Sequence, residues 1–74
     1  MKLPALKSYQ VLRALYKAGF VLDHQTGSHA ILYNSATKRR VSVPMHGRDL
    51  KKGTLKNIIH QAGLMREEFE KLLR

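Results

Sequence analysis

The chain has no cysteine and no tryptophan, only two prolines, and five acidic side chains against fourteen Lys and Arg. Without cysteine there is neither a disulfide framework nor a thiolate metal site to staple a small fold. The same absence fits a reducing compartment, so a cytoplasmic location is expected. No apolar run approaches the ~18–20 residues of a membrane span. The opening "MKLPALKSYQ" carries one early lysine but no apolar stretch of signal-peptide length. A soluble chain with no membrane partner is therefore expected. Its 74 residues make one domain, 1–74, with no repeat, low-complexity stretch or internal boundary. A chain this short buries only ~60% of its unfolded surface, so the core is thin.

The shortage of acid leaves a formal net charge of +9. A field of one sign and this size attracts polyanions and speeds their encounter, which puts nucleic acid first among partners. The excess is uneven. Lys2, Lys7, Arg13 and Lys17 stand in residues 1–18 with no acid, and residues 29–60 hold Lys38, Arg39, Arg40, Arg48, Lys51, Lys52 and Lys56 against Asp49 alone. Glu67, Glu68 and Glu70 cluster at the C-terminal end, making it the surface least suited to phosphate.

In "SYQVLRALYKA", Val11, Leu12, Leu15 and Ala18 fall on one helical stripe, with Ser8 as N-cap and Gly19 at the left-handed C′ position. "FVLDHQ", "HAILYN" and "RRVSV" read as three strands, joined by the short link "QTGS" and the longer turn "NSATK". "GTLKNIIHQAG" then places Leu55, Ile58, Ile59 and Ala62 on a second helical stripe, stopped by Gly63. "MREEFEKLL" places Met65, Phe69, Leu72 and Leu73 on a third, with Glu67 and Glu68 suited to its N-terminal dipole. The expected fold is α+β: helix, three-stranded antiparallel sheet, helix and short helix, with the helices on one face. Alternation sets His29, Ile31 and Tyr33 against Ala30 and Leu32 on the second strand, and Val41 and Val43 against Ser42 on the third. Both faces of the second strand are partly apolar, so alternation alone leaves the burial of His29 open.

Histidine has an ordinary pKa near ~6.5, which lets it take and give a proton near neutral pH. His60 follows Ile58 and Ile59 on a helix and reads as half-exposed surface; His24 lies mid-strand without a companion that suggests chemistry. His29 and His46 stand at strand ends. If strands two and three pair through "NSATK", the start of one lies beside the end of the other, and the two histidines share one rim of the sheet. The cations Arg48, Lys51 and Lys52 begin just beyond.

A zinc site wants three or four ligands at set separations. Here cysteine is absent, acids are scarce and no two histidines stand at i, i+4 on a helix, so no metal is expected. A triad built on Ser28 or Ser42 would need an oriented acid from the same small supply. A histidine beside cations does suit RNA transesterification, because the ribose 2′-hydroxyl is an internal nucleophile beside the phosphorus. The protein then needs only to move protons and stabilise phosphoryl charge, without a cofactor. On spacing alone, simple RNA binding ranks above cleavage.

The ordered set "GF" at 19–20, "GSH" at 27–29, "VPMH" at 43–46, "KKGTLKNII" at 51–59, and "AG" at 62–63 followed by "EEF" closely resembles the HicA family of toxin–antitoxin mRNA interferases. The resemblance runs from about Tyr9 to Leu73. The simplest way to silence such a toxin is to cover its histidine and basic surface together, so an antitoxin interface over His29 and some of Arg48, Lys51 and Lys52 is expected. The resemblance itself implies a fold like a double-stranded-RNA-binding domain, cleavage of mRNA, and neutralisation by an antitoxin, HicB. It makes the histidine of the Gly-Ser-His motif catalytic, here His29, with His46 a further candidate. Gly27 and Ser28 would shape the bend, and Lys38, Arg39, Arg40, Arg48, Lys51, Lys52 and Lys56 would hold the RNA backbone. Thr54 stands at the "GTL" helix start, where backbone N–H groups can meet a phosphate. Two departures, Met65 for the usual Ser or Thr and Lys52 for a frequent Pro, concern helix initiation. The alternative is a non-catalytic RNA-binding module of the same fold.

Overall fold

The computed structural model describes residues 4–74; residues 1–3, Lys2 among them, lie outside the described part. The elements run α1 (Ser8–Lys17), β1 (Val21–Thr26), β2 (His29–Asn34), β3 (Arg39–Pro44), α2 (Lys52–Ala62) and α3 (Arg66–Leu72). The strands lie in the order β1-β2-β3, and both pairings are antiparallel. The expected α+β architecture is present, with each strand boundary within a residue of its sequence reading.

Burial settles which face of the sheet the helices cover. Ala30 and Leu32 of β2 join Val41 and Val43 of β3 in the core. They meet Val11, Ala14 and Leu15 from α1, Leu55, Ile58, Ile59 and Ala62 from α2, and Phe69 from α3. Since successive strand residues point to opposite faces, His29, Ile31 and Tyr33 go to the open face. The histidine is thus exposed because its neighbours are buried.

Two helix readings are corrected. Ser8 is not the N-cap of α1: Lys7 holds that place, and its N–H donates to Gln10 Oε1 at 2.9 Å. The Ser8 hydroxyl has a stronger use elsewhere, donating to the Pro44 carbonyl at 2.6 Å. Met65 does not join the apolar stripe of α3 but stands at its N-cap, 66% exposed. There its N–H donates to Glu68 Oε1 at 2.8 Å, so the Glu68 carboxylate serves the helix start that Met65 cannot cap with its own side chain. The stops at Gly19 and Gly63 are as expected, with φ of +100° and +72°.

The long turn after β2 is held by Asn34, which is buried. Its Oδ1 accepts from the N–H groups of Ala36 (3.0 Å) and Thr37 (3.4 Å), and its Nδ2 donates to the Ala18 carbonyl at 3.3 Å. One side chain therefore shapes the turn and ties it to the end of α1. β1 is an exposed edge strand with an irregularity at Asp23: Leu22 pairs with Leu32, but His24 pairs with Ile31. Asp23 is the extra residue of a β-bulge.

Leu32 is fully buried at the centre of this arrangement. Leu32→Ala is expected to lower the unfolding free energy by about 2–5 kcal/mol, read as a fall in the urea midpoint at unchanged m-value.

Candidate nucleic-acid interface

Thr26 pairs with His29, so Gly27 and Ser28 form a two-residue hairpin turn, and Gly27 supplies the positive φ (+51°) such a turn requires. His29 also pairs with Pro44 on the other side. The Met45 N–H donates to the Ser28 carbonyl at 2.5 Å, which carries the ladder one step past β3 and lays the segment containing His46 beside the Gly27–Ser28 turn. The two histidines therefore share one rim, as the pairing argument expected. Both are exposed.

Their rings are held differently. Ser28 Oγ stands 3.5 Å from His29 Nδ1, the outer limit of a hydrogen bond. His46 Nδ1 lies 3.2 Å from the Arg48 backbone N–H and must accept from it. With Nδ1 accepting, the ring proton sits on Nε2, so His46 presents an N–H donor outward.

The clamp on the His46 segment comes from residues that sequence reading assigned elsewhere. Ser8 Oγ donates to the Pro44 carbonyl at 2.6 Å and accepts from the His46 N–H at 3.4 Å. Lys7 Nζ reaches the Gly47 carbonyl at 3.1 Å and Asp49 Oδ1 at 3.3 Å, and the Leu50 N–H donates to the Leu6 carbonyl at 2.8 Å. Residues 6–8 thus hold down residues 44–50. A serine at a helix start invites the capping interpretation, and only the fold brings Pro44 against it.

The cations divide into groups. Arg48 and Lys51 are exposed on the connection from the rim to α2, and Lys52 is exposed at its first position. Lys51 is the N-cap of α2, with no side-chain cap and no acid in the first turn, so Thr54 lies in a first turn whose N–H groups are open to an anion. Lys56 lies one turn further along α2, in a concavity shared with Ile59, His60, Leu64 and Arg66. Lys38, with φ of +62°, sits in the turn at the opposite end of the sheet, beside the Asn34–Arg39 pair. Five steps of ~3.4 Å along β2 separate that end from His29 by roughly 17 Å. Arg39 donates to the Gln61 carbonyl at 3.5 Å near the end of α2. Arg40 lies over the Tyr33 ring, 5.0 Å from its centroid, and donates to Asp23 Oδ2 at 2.9 Å.

His24 does have a companion. Its Nδ1 lies 2.8 Å from Asp23 Oδ2. Regular alternation would send these adjacent side chains to opposite faces; the bulge at Asp23 lets both serve the open one. The hydrogen bond from His24 and then that from Arg40 hold the Asp23 carboxyl below its usual range. Among the described residues, no group of three or more His, Asp or Glu could hold a metal ion, and no helix is long and apolar enough to cross a membrane.

Together these features define a small basic α+β domain with a histidine-bearing rim. In family comparison, residues 8–64 of the chain match the model described as the HicA toxin of bacterial toxin–antitoxin systems. The chain belongs to the HicA toxin family, and its family implies an antitoxin partner. A comparison with curated proteins returns no relative by sequence. The matched region ends at Leu64, just before α3.

Two measurements check this geometry. Ser8→Ala leaves the Pro44 carbonyl without its partner and is expected to cost about 1–3 kcal/mol, with the largest amide shifts at residues 44–48. The Asp23 carboxyl is expected to titrate below the usual carboxylate range, held there by its hydrogen bonds from His24 and Arg40. Because its folded pKa is the lower one, its stabilising contribution is present above the unfolded value and is lost as pH falls through the folded one. Carbon-13 NMR of the side chain reads this directly.

Proposed function

We propose that this toxin is an mRNA interferase that cleaves RNA by metal-independent transesterification, with His29 as a proton-transfer group. One observation carries the reading: His29 faces outward at a rim beside the His46 segment, from which the chain runs through Arg48 and Lys51 into the uncapped start of α2 at Lys52. A phosphodiester laid along that rim would meet cations and backbone N–H donors with an imidazole beside it. The 2′-oxygen attacks phosphorus and the P–O5′ bond breaks, giving a 2′,3′-cyclic phosphate and a 5′-hydroxyl. A proton leaves the 2′-hydroxyl and another reaches O5′; the net reaction consumes neither water nor cofactor. His29 moves one of these protons, a role worth ~10²–10⁴ in rate.

His46 fits a supporting part. With Nδ1 accepting from the Arg48 N–H, its outward Nε2–H suits a phosphoryl oxygen. Gly27 and Ser28 shape the turn that presents His29, and Arg48, Lys51, Lys52 and Thr54 border the path of the backbone. Lys56 lies further along α2, and Lys38 and Arg39 would meet only a longer RNA that reaches the far end of the sheet, while Arg40 is drawn to Asp23 on the open face. The antitoxin, a HicB-like protein, silences the toxin by covering His29 with some of Arg48, Lys51 and Lys52. The site of action is the cytoplasm.

The test is cleavage of an end-labelled RNA in EDTA by the purified protein and by His29→Ala of verified fold. The expected result is a loss of ~10²–10⁴ in rate with RNA still bound. RNA bound and never cut by the unsubstituted protein would instead make it a binding module. Affinity is expected to fall with salt at a log–log slope near −0.7 per phosphate contact on single strands, and by about one contact fewer for Lys51→Ala.

A further inference from the structure

The open face of the sheet carries a second histidine with the fixtures of a proton-transfer group. We propose that His24, oriented by Asp23, is the general base that works with His29 across the face formed by β1 and β2. The inference rests on the ribonuclease reading above and completes it, since that reaction needs one group to take a proton and another to give one.

Three observations converge. The first is tautomer. A carboxylate can only accept, so His24 Nδ1 must donate to Asp23 Oδ2 across their 2.8 Å contact. The lone pair of the neutral ring then lies on Nε2, pointing away from the carboxylate, which is the form that takes a proton. His46 has the opposite arrangement, with its lone pair engaged at Nδ1. His29 has no carboxylate within hydrogen-bond reach among the described residues.

The second observation is register. His24 pairs with Ile31 and Thr26 pairs with His29, so His24 and His29 occupy diagonal positions on one face of an antiparallel ladder. Diagonal neighbours stand roughly 7–8 Å apart at the backbone and remain within reach for aromatic side chains. Two bases that serve the entering O2′ and the leaving O5′ must flank one phosphorus from opposite sides, each within ~2.6–3.2 Å of its oxygen. Such groups stand several ångströms apart rather than in contact, and a diagonal pair meets that need.

The third is construction. The Asp23 bulge brings adjacent residues to the same face, and the Asp23 Oδ2 that holds His24 also accepts from Arg40, which lies over the Tyr33 ring. His24 therefore has a fixed orienter, held in turn by β3. The groups facing it are Asp23 on its own strand, His29 and Tyr33 from β2, and Arg40 from β3. In the reaction His24 Nε2 accepts the 2′-hydroxyl proton as the O2′–P bond forms. Protonated His29 gives its proton to O5′ as the P–O5′ bond breaks. One proton has then passed from His29 to His24 by way of the substrate, and exchange with water restores both rings. Asp23 is a positioning residue.

The test compares the unsubstituted protein with His24→Ala, His24→Gln, Asp23→Asn, His29→Ala and the control His60→Ala, over a range of pH in EDTA, on a labelled RNA. The unsubstituted protein is expected to give a bell-shaped rate profile. Both His24 variants should lose ~10²–10⁴ in kcat at unchanged RNA affinity, together with the acid limb of the bell; His29→Ala should lose the basic limb. Asp23→Asn should lower kcat and shift the acid limb with little change in KM, which a merely structural role would not do. His60→Ala should match the unsubstituted protein. Full activity and an intact bell in both His24 variants, with His29→Ala inactive, would overturn this proposal and leave the ribonuclease standing. Absence of cleavage by the unsubstituted protein would overturn both. A second readout is independent of turnover: a 2′-deoxy oligonucleotide should shift the imidazole resonances of His24 and His29 together. A shift at His29 alone counts against the pair.

Discussion

The burial of Ala30 and Leu32 under the helices is the constraint from which the rest of the molecule follows. A strand cannot turn alternate side chains inward without turning the others outward, so the hydrophobic effect that stabilises the domain also aims His29, Ile31 and Tyr33 at solvent. Val41 and Val43 repeat the choice on β3, and the register between the strands then sets Pro44 against His29 and Arg40 against Tyr33. The rim and the open face are thus the outward-facing half of the pattern that builds the core. In a domain this small few side chains can be spared from stability, and the same six-residue strand serves both ends.

Charge is distributed with the same economy. Lys7–Asp49, His24–Asp23 and Arg40–Asp23 are ion pairs between exposed side chains. Exposed pairs of this kind contribute little to stability. Their use is placement: Asp49 draws Lys7 over the loop that carries His46, and Asp23 gathers an imidazole and a guanidinium on one face. With only five acids in the chain, two are committed to holding cations in position, while Glu68 serves the start of α3. The described Lys and Arg residues are exposed.

Much of this was legible in the sequence, because periodicity and turn chemistry are local. The stripe of Leu55, Ile58, Ile59 and Ala62, the stop at Gly63 and the hairpin at Gly27–Ser28 each follow from a few adjacent residues. The shared rim of His29 and His46 followed from one assumption about pairing. Ser8 was misread because its sequence position suits a helix cap, while its partners, Pro44 and His46, are more than thirty residues away. Met65 was misread because its spacing from Phe69 matches a core stripe, whereas the chain enters α3 at that point and leaves the side chain outside. The Asp23–His24 pair was hidden for a different reason. Strict alternation separates adjacent residues, and a bulge is a decision of the pairing between two strands that neither strand announces alone.

The two margins of the sheet show a further consequence of the bulge. A three-stranded sheet has unpaired backbone on both sides, and a strand as exposed as β1 offers a template on which another chain could grow. On the β3 side, Gln61 accepts the Ser42 N–H at 3.1 Å and occupies part of that margin. On the β1 side, the break in register at Asp23 twists the strand and sets a charge midway along it. Neither margin presents the long, flat, regular edge from which fibrils and runaway sheet assembly begin. The irregular strand that carries the Asp23–His24 pair is therefore also a poor template for edge-to-edge pairing.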